Sequence, residues 1–240
     1  MLHYASNLDP QIHLAFTSQA EGNLALHVND DPQQVRANRA RLEERIGVRS
    51  FSLTFMNQVH SATVLNAEQR AEQQGAESAA ATCDGLISPT GTTPLAVMVA
   101  DCLPVLFVGH NPQNNSSATA AVHAGRRGLL DGILSETVKQ LTELGATRIE
   151  AVIGPAICGR CYEVPNEMLE ESEARVPGIG SITSWDTPAL DLPRAAAGQL
   201  RDLAVEVRNS GICTLENPEY YSYRRDRHSG RFAGIIWREN

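Results

Sequence analysis

Lysine is almost absent from this chain, and so is any excess of positive charge. Lys139 is the sole lysine beside nineteen arginines. It falls within a predicted surface helix, which excludes Schiff-base chemistry and a phosphate-binding P-loop, because both need a lysine at the site. The formal net charge of −8 and the pI near 5.4 argue against nucleic acid or an anionic membrane as the main partner, since neutralising phosphates takes an excess of basic residues.

Long apolar runs are also missing, and cysteine is sparse. No run approaches the roughly 18 to 20 apolar residues that cross a bilayer, and residues 1–10 lack the basic and apolar regions of a signal peptide. We therefore expect a cytoplasmic protein. An odd number of scattered cysteines is typical of reduced thiols or metal ligands rather than of a disulfide framework. The five are Cys83, Cys102, Cys158, Cys161 and Cys213.

One apolar stretch in the middle of the chain organises the rest. Residues 95–99 and 105–108 are short, aliphatic and β-branched, like strands covered on both faces. Between them, Asp101 and Cys102 are predicted to occupy a bend, because Pro104 lacks the N–H needed inside a sheet ladder. A charge on such a bend needs a compensating partner or a metal ion. Taken alone, Cys102 is equally consistent with a small buried apolar residue.

The remaining sequence mixes strand and helix patterns, with no internal repeat and no linker that divides it. We expect a single layered α/β (mixed α+β) domain over residues 1–240, with mixed β-sheets and flanking helices. Asp31 before Pro32 predicts the start of a helix that stops at Gly47. Other predicted strands are 13–17, 51–59, 118–122 and 148–153, with hairpins around 109–117 and over 220–237. Other predicted helices are 129–144, 167–175 and 194–209, and 66–82 is predicted to be an exposed helix or loop.

Three potential metal ligands follow predicted strands: His60, Cys102 and His123. Two imidazoles and one thiolate suit Zn²⁺, and three protein ligands leave a fourth position for water, as in catalytic zinc sites. The separations match no local zinc motif, so other interpretations stay open. Either histidine could be a hydrogen-bonded core residue, or Cys102 and His123 could form a nucleophile–base pair without a metal.

Two basic clusters contrast with the acidic whole. Arg126 and Arg127 stand directly before a predicted helix, where free N–H groups, the helix dipole and two guanidiniums would attract phosphate or carboxylate. The alternative is that one arginine caps a carbonyl and the other is solvated. Arg224, Arg225 and Arg231 lie on the predicted C-terminal hairpin. Because a strand alternates faces, only one of the adjacent pair can share a pocket.

Two further features have a structural as well as a chemical interpretation. Cys158 and Cys161 are separated by two residues, but they follow a Gly-Pro pair and no second such cysteine pair exists. We therefore favour a structural loop near the site over a redox or zinc-knuckle motif. Asp84 and Glu163 lie in turn-rich segments, where each is either a general acid or base or a solvated charge.

Taken together, the motifs closely resemble the YfiH-like, laccase-domain family. They run in order over most of the chain as Asn57-Gln-Val-His60, Thr82-Cys-Asp-Gly-Leu-Ile87, Ala100-Asp-Cys-Leu-Pro104, Ala121-Val-His-Ala-Gly125, Gly154-Pro-Ala-Ile157, Cys161-Tyr-Glu-Val164 and Tyr221-Ser-Tyr-Arg-Arg225 with Gly230-Arg231. The resemblance implies a single α/β domain of the YfiH-like type, with zinc held by His60, Cys102 and His123. Members of the family are labelled polyphenol oxidases (laccases), purine nucleoside phosphorylases with adenosine deaminase activity or, in bacteria, peptidoglycan editing factors.

The sequence departs from the family's pattern in three places. Arg126 replaces an aromatic residue in the turn that usually reads HAGWRG. The loop 18–22 is shorter than the usual Arg- and Gly-rich loop, and the usual adjacent cysteine pair is spread into Cys158 and Cys161. The first two changes alter segments from which substrate contacts would come.

The chemical requirements of each activity decide which of the family's labels suits this chain. Multicopper oxidation needs many histidines, whereas this chain has seven and none in a His-x-His pair, so a copper polyphenol oxidase is disfavoured and zinc is preferred over copper. A zinc ion lowers the pKa of bound water towards ~7, which suits attack on C6 of adenine. Phosphorolysis needs an anion held beneath C1′ of the ribose, and arginines supply that grip. The resemblance therefore implies a zinc-dependent purine nucleoside phosphorylase with adenosine deaminase activity, acting on purine nucleosides and phosphate.

Each candidate residue has an expected role. Cys102, His123, His60 and Asp101 are expected to be catalytic, with Asp101 orienting the ligands or transferring a proton. The expected substrate and phosphate contacts are Arg126, Arg127, Arg224, Arg231, Asn57, Gln58, Asp84 and Glu163. Two alternatives stay open: a metal-free Cys102–His123 hydrolase or amidase in peptidoglycan precursor editing, and a binding protein whose zinc is structural. The oligomeric state stays open as well.

Overall fold

The computed structural model describes residues 1–69 and 80–239. In that part of the chain the strands are β1 (Leu2–Ala5), β2 (Ile12–Phe16), β3 (Met56–Asn57), β4 (Val64–Asn66), β5 (Ala81–Thr82), β6 (Gly85–Ser88), β7 (Leu95–Val99), β8 (Leu103–Asn111), β9 (Ser116–Ala124), β10 (Arg148–Ile153), β11 (Gly180–Ile182), β12 (Pro188–Leu190), β13 (Glu206–Asn209) and β14 (Phe232–Arg238). The helices with described bounds are α1 (Pro32–Ile46), α2 (Arg126–Leu130), α3 (Ile133–Glu143), α4 (Asn166–Arg175) and α5 (Leu192–Asp202), with a 3₁₀ turn at Gln19–Glu21. Among the described residues, no helix has the length and apolar character to cross a membrane.

The larger sheet has six strands in the order β13-β10-β8-β9-β6-β4. Its centre is the β8–β9 hairpin, which pairs from Leu103 opposite Ala124 to Asn111 opposite Ser116. β10 and β6 flank this hairpin antiparallel, and β13 and β4 add parallel edges. The predicted hairpin around 109–117 and the mixed α/β class are both confirmed.

A smaller antiparallel sheet, ordered β1-β2-β14-β7, packs on one face of the larger sheet. Leu106 and Val108 of β8 face this smaller sheet, whereas Val105 and Phe107 face α2, α3 and α5 on the other side. The outer face of the smaller sheet packs on Leu42 of α1. Central strands therefore bury both faces, which explains their continuous apolar runs, and each fully buried Leu or Phe contributes ~1.5–3 kcal/mol.

The bend predicted at Asp101 and Cys102 is the point where the chain changes sheets. β7 belongs to the smaller sheet and β8 to the larger one. Asp101 has a φ of 91°, a left-handed conformation that costs a non-glycine residue on the order of 1–3 kcal/mol. Pro104, which we expected to stand outside the strand, lies within β8 opposite His123. It is tolerated there because pairing with β10 starts only at Val105.

Local signals predict helix ends correctly where the chain's own caps decide them. The Asp31 side chain accepts a hydrogen bond from the N–H of Gln33, and Gly47 closes α1 with a φ of 72°. The predicted helix 167–175 is likewise confirmed as α4. The predicted helix 129–144 is wrong in one respect, because Gly132, with a φ of 88°, divides it into α2 and α3.

Other predicted elements fail where long-range pairing decides the structure. In the segment 51–59, only Met56 and Asn57 form a strand, which pairs with β5. The predicted helix 194–209 ends at Asp202, because the following residues pair with β10 as β13. The predicted C-terminal hairpin is a single strand, β14, preceded by turns. The stretch 66–82 lies mostly outside the described residues, and β1 is a strand that the pattern does not predict.

Candidate metal centre and cleft

Three side chains meet beside the open end of the β8–β9 hairpin. His60 follows β3, Cys102 immediately precedes β8, and His123 is the penultimate residue of β9. One ligand atom from each lies within 4.8 Å of the others, and Cys102 Sγ is 3.8 Å from His60 Nε2. The two imidazole rings meet edge to face, with centroids 4.7 Å apart. The structure thus brings together the three residues that we proposed as metal ligands.

The buried carboxylate of Asp84 holds this cluster in place through hydrogen bonds. It accepts hydrogen bonds from the N–H groups of His60 at 2.9 Å and Ser61 at 2.6 Å, from the Ser61 hydroxyl at 2.7 Å, and from His123 Nδ1 at 2.8 Å. Burial raises the pKa of the Asp84 carboxyl, but the bonds from His123 and Ser61 outweigh it and hold the pKa well below its usual range. With Nδ1 engaged, Nε2 is the nitrogen of His123 left to face Cys102. The predicted contact between Asp84 and substrate is not supported, because Asp84 is fully buried. Asp84 instead positions the side chains of the cluster.

The backbone around the cluster is shaped to fit it. His60 has a φ of 61°, which its hydrogen bond to Asp84 helps to maintain. Gly125 follows the cluster so closely that a Cβ there would lie 2.8 Å from His60 Cδ2 and 3.3 Å from Cys102 Sγ. Any larger residue would displace the imidazole, which explains the glycine at this position.

The electrostatics of the cluster favour a thiolate. Burial raises the pKa of the Cys102 thiol, but the His123 and His60 imidazoles outweigh it and lower the pKa to about 6. Burial lowers the pKa of His123, but Cys102 and Asp84 outweigh it and raise the pKa to about 9. A thiolate and an imidazolium therefore stabilise each other here. The thiolate is also the form of cysteine that binds metal or acts as a nucleophile.

The cluster opens into a cleft of about 940 Å³, a size typical of small-molecule sites. The proposed residues that line it are Asn57, Gln58, His60, Asp101, Cys102, His123, Arg126, Arg224 and Arg231. Sequence reasoning missed other lining residues, among them His27, Ile157, Tyr162, Leu192 and Tyr223, whereas Arg227, which also lines the cleft, belongs to the basic cluster of the C-terminal segment. Ile157, Tyr162 and Tyr223 could have been found from the sequence, because they lie within the quoted motifs. His27 lies in no motif.

Arg224 reaches the cleft from the C-terminal segment. Its Nη1 donates a hydrogen bond to the main-chain carbonyl of Glu163 at 3.1 Å, and its guanidinium carbon lies 5.4 Å from the centre of the Tyr162 ring. Arg225 turns away and donates to main-chain carbonyls, including that of Thr214 at 2.8 Å. Only one of the two adjacent arginines lines the cleft, as we predict, although they lie in a turn and not in a strand.

Other predicted anion contacts lie at the margin of the cleft or outside it. Arg126 lines the cleft, but its Nη1 pairs with Glu171 at 3.1 Å. Arg127 is exposed and is not among the lining residues. α2 has five residues, too few for the helix-terminus anion site that we predicted. The carboxylate of Glu163 accepts from Trp185 Nε1 at 3.1 Å and does not line the cleft either.

Asp101 and Gln58 are engaged by the protein itself. The Asp101 carboxylate accepts hydrogen bonds from the Thr214 hydroxyl at 2.6 Å and from the Arg224 main-chain N–H at 2.7 Å. Gln58 donates to the main-chain carbonyl of Met98 at 2.7 Å and accepts from its N–H at 2.9 Å. These bonds fix the segments that form the cleft wall. They favour an orienting role for Asp101 over proton transfer.

The layered fold and the cleft define a class, the α/β proteins of the YfiH-like type. The crystal structure of a Bacillus licheniformis hypothetical protein YfiH superposes with a TM-score of 0.82 at 25% identity, covering 95% of this chain and 93% of that one. The structure of YlmD from Geobacillus stearothermophilus gives a TM-score of 0.82 at 30% identity, covering 98% and 94%.

Sequence comparison gives the family. The chain belongs to the family described as multi-copper polyphenol oxidoreductase laccase, whose family model matches residues 15–239. A protein named purine nucleoside phosphorylase from Streptomyces griseus is 40% identical, with 98% of each chain covered. One of the same name from Pseudomonas aeruginosa is 35% identical, covering 90% of this chain and 85% of that protein. The resemblance drawn from the motifs is confirmed.

Proposed function

We propose that this protein is a zinc-dependent purine nucleoside phosphorylase that also deaminates adenosine. It would convert adenosine or inosine and phosphate into the free base and ribose 1-phosphate. The observation that carries the proposal is the convergence of a His₂Cys cluster and four arginines on one cleft of about 940 Å³. The relatives named purine nucleoside phosphorylase support the phosphorylase activity.

The donor set at the cleft fits zinc. Three ligand atoms, from His60, Cys102 and His123, lie within 4.8 Å of one another, and a three-ligand site leaves one position open. The bond from His123 Nδ1 to Asp84 is the outer hydrogen bond that accompanies most zinc-bound histidines. When bound, zinc would polarise a substrate group or lower the pKa of a water molecule. Copper is less favoured, because seven histidines with no His-x-His pair do not build a multicopper centre.

The arginines of the cleft would hold phosphate beside the ribose. Arg224 and Arg231 each bind main-chain carbonyls through Nη1, which fixes the guanidinium and leaves other N–H groups for charge-assisted bonds to an anion. In phosphorolysis, a phosphate oxygen forms a bond to C1′ while the bond from C1′ to the purine nitrogen breaks. The base leaves with the electron pair and takes up a proton. Holding both reactants in one cleft lowers the entropic cost of this step.

Aromatic side chains would bind the purine. Tyr162 and Tyr223 line the cleft, and stacking of a base on an aromatic ring contributes ~1–3 kcal/mol. In the deamination, a water oxygen bonds to C6 of adenosine and the C6 amino group leaves as ammonia, which yields inosine. The product of the deamination is then a substrate of the phosphorolysis in the same cleft.

One observation favours a second candidate, a metal-free cysteine hydrolase or amidase that acts on peptidoglycan precursors. Cys102 faces His123, and His123 is oriented by the buried carboxylate of Asp84. This is the order of nucleophile, base and orienting group found in triad enzymes.

One experiment separates these candidates. The purified protein is incubated with inosine or adenosine, with and without phosphate, and release of free base and ammonia is measured. Phosphate-dependent base release that disappears both in Cys102→Ala and after chelation supports the phosphorylase. Release of base or ammonia that survives thorough chelation but disappears in Cys102→Ala supports catalysis by the thiol without a metal. No base or ammonia from the metal-loaded protein contradicts the main proposal.

A further inference from the structure

A second group of side chains that could hold a metal ion lies apart from the first. It consists of Cys158, Cys161, Cys213 and Glu216, and we call it the Cys₃Glu cluster. One ligand atom from each lies within 4.8 Å of the others. Cys158 and Cys161 lie in the loop after β10, whereas Cys213 and Glu216 lie in the loop after β13. Parallel pairing of β10 with β13 brings these two loops to the same end of the sheet.

The loop geometry directs the sulfur atoms towards one point. The main-chain N–H groups of Cys161 and Tyr162 both bind the carbonyl of Cys158 at 3.0 Å, which makes a tight turn of the two-residue spacing. The N–H of Cys158 donates to Cys213 Sγ at 3.4 Å, and Cys161 Sγ is 3.5 Å from a Glu216 carboxylate oxygen. N–H donation to sulfur is favourable to a thiolate, and a carboxylate supplies the fourth donor.

Two of the four side chains of the cluster are buried, whereas Glu216 is exposed at the surface. Cys161 is 4% exposed and Cys213 is 6% exposed, and they pack with Ile157. All three sulfurs belong to free cysteines, so none is committed to a disulfide.

We propose that Cys158, Cys161, Cys213 and Glu216 bind a second metal ion, a structural Zn²⁺. Zinc–sulfur bonds of ~2.3 Å at tetrahedral angles place sulfurs ~3.8 Å apart, so small side-chain movements within the observed spacing complete the site. Three thiolates and one carboxylate fill four positions, which leaves none for substrate. Each thiol that binds loses its proton to solvent. Arg160 lies 3.6 Å from the Glu216 carboxylate and partly balances the negative charge of the site.

The proposed ion would fix one wall of the cleft. The N–H of Ile157, next to Cys158, binds the carbonyl of Asp101 at 2.9 Å. The hydroxyl of Thr214, next to Cys213, binds the Asp101 carboxylate at 2.6 Å. Both loops joined by the ion therefore hold the bend that presents Cys102. The proposal stands on the geometry of the Cys₃Glu cluster and does not depend on the phosphorylase activity.

The experiment counts zinc in a background that lacks the first site. The full chain with His60→Ala and Cys102→Ala is purified without chelators, and its metal content is measured by mass spectrometry. We expect about one zinc per chain, falling to background when Cys161→Ser is added. Adding Cys83→Ala instead, a cysteine of a different core cluster, should leave the zinc in place. With Co²⁺ as the probe, the thiolate-to-metal absorption should appear with Cys83→Ala and vanish with Cys161→Ser.

A second measurement covers variants that fail to fold. In the unmutated protein, a mercurial reagent that blocks thiols should release zinc, and denatured protein alkylated beforehand should show no disulfide among the three cysteines. Glu216→Gln keeps the size of the side chain, so it should weaken zinc retention against a competing chelator without unfolding the chain. Background zinc in the double variant, or a disulfide within the cluster, overturns the proposal. Neither result bears on base release from inosine.

Discussion

The two sulfur-containing clusters of this protein differ in access. The cluster of His60, Cys102 and His123 offers three ligands and opens into the cleft, whereas the Cys₃Glu cluster offers four and does not line the cleft. An incomplete ligand set with space beside it suits chemistry, and a complete set without space suits support. On the two proposals made above, the role of each cysteine depends on how many donors surround it and on whether it lies at the cleft.

The largest effect on activity is expected from loss of the Cys102 thiol in the cluster of His60, Cys102 and His123, which we call the open cluster. Cys102→Ala should reduce phosphorolysis to the detection limit while leaving the unfolding temperature within a few degrees, because Cys102 is only partly buried. Kinetics and thermal unfolding check this together. Cys161→Ser should lower the unfolding temperature more than Cys102→Ala does. An equal loss of stability in both variants would remove the distinction between the clusters.

Asp84→Asn should have the next largest effect. The amide keeps the shape but no longer provides a carboxylate to orient His123 Nδ1, and loss of such partners typically costs about 10–100-fold in metal affinity or activity. Zinc affinity of the open cluster, measured by competition with a chelator, checks this. Zinc at the Cys₃Glu cluster should be unaffected. Unchanged affinity at the open cluster would mean that Asp84 serves the fold alone.

Arg224→Ala should weaken phosphate binding. Hydrogen bonds to charged groups contribute ~1.5–3 kcal/mol, so the KM for phosphate should rise on the order of 10- to 100-fold, with a smaller change for the nucleoside. Arg127→Ala is the matched control, because Arg127 is exposed and does not line the cleft. If Arg127→Ala raised the KM for phosphate as much, the sequence-based assignment of Arg127 would stand over the geometric one.

The smallest effect is expected at two glycines. Gly125→Ala should lower zinc affinity at the open cluster several-fold, because the added Cβ would lie 2.8 Å from the His60 ring. Gly198→Ala in α5 meets nothing within 4 Å, so it should raise stability by up to ~1 kcal/mol through helix propensity and leave zinc unchanged. Chelator competition and chemical denaturation measure the two. Identical behaviour of both variants would contradict the close packing around His60.

The cluster of His60, Cys102 and His123 could be predicted from the sequence, whereas the Cys₃Glu cluster could not. His60, Cys102 and His123 each adjoin a recognisable motif at a strand end, so pattern and family resemblance point to them. Cys213 and Glu216 carry no motif, and only the parallel pairing of β10 with β13 places them beside Cys158 and Cys161. The sequence therefore favours a structural loop for Cys158 and Cys161, because Cys213 and Glu216 lie at least 52 residues further along the chain.

The same distinction holds for the fold. α1 follows from its own caps at Asp31 and Gly47, which act locally. The strand β13 was predicted to be helix, since its fit against β10 depends on tertiary pairing that overrides propensity. The direction of Arg126 towards Glu171 depends on α4, which is distant in sequence. Contacts of this kind decide which predicted residues face the cleft.

The most direct test of phosphorolysis in this cleft is ³¹P nuclear magnetic resonance of the zinc-loaded protein with inosine and phosphate. We expect a new ribose 1-phosphate signal that grows as free phosphate falls and hypoxanthine appears, and that is absent with Cys102→Ala. Hypoxanthine formed with unchanged phosphate would mean hydrolysis, and no hypoxanthine at all would mean that the cleft binds another substrate. Either result would contradict phosphorolysis at this site.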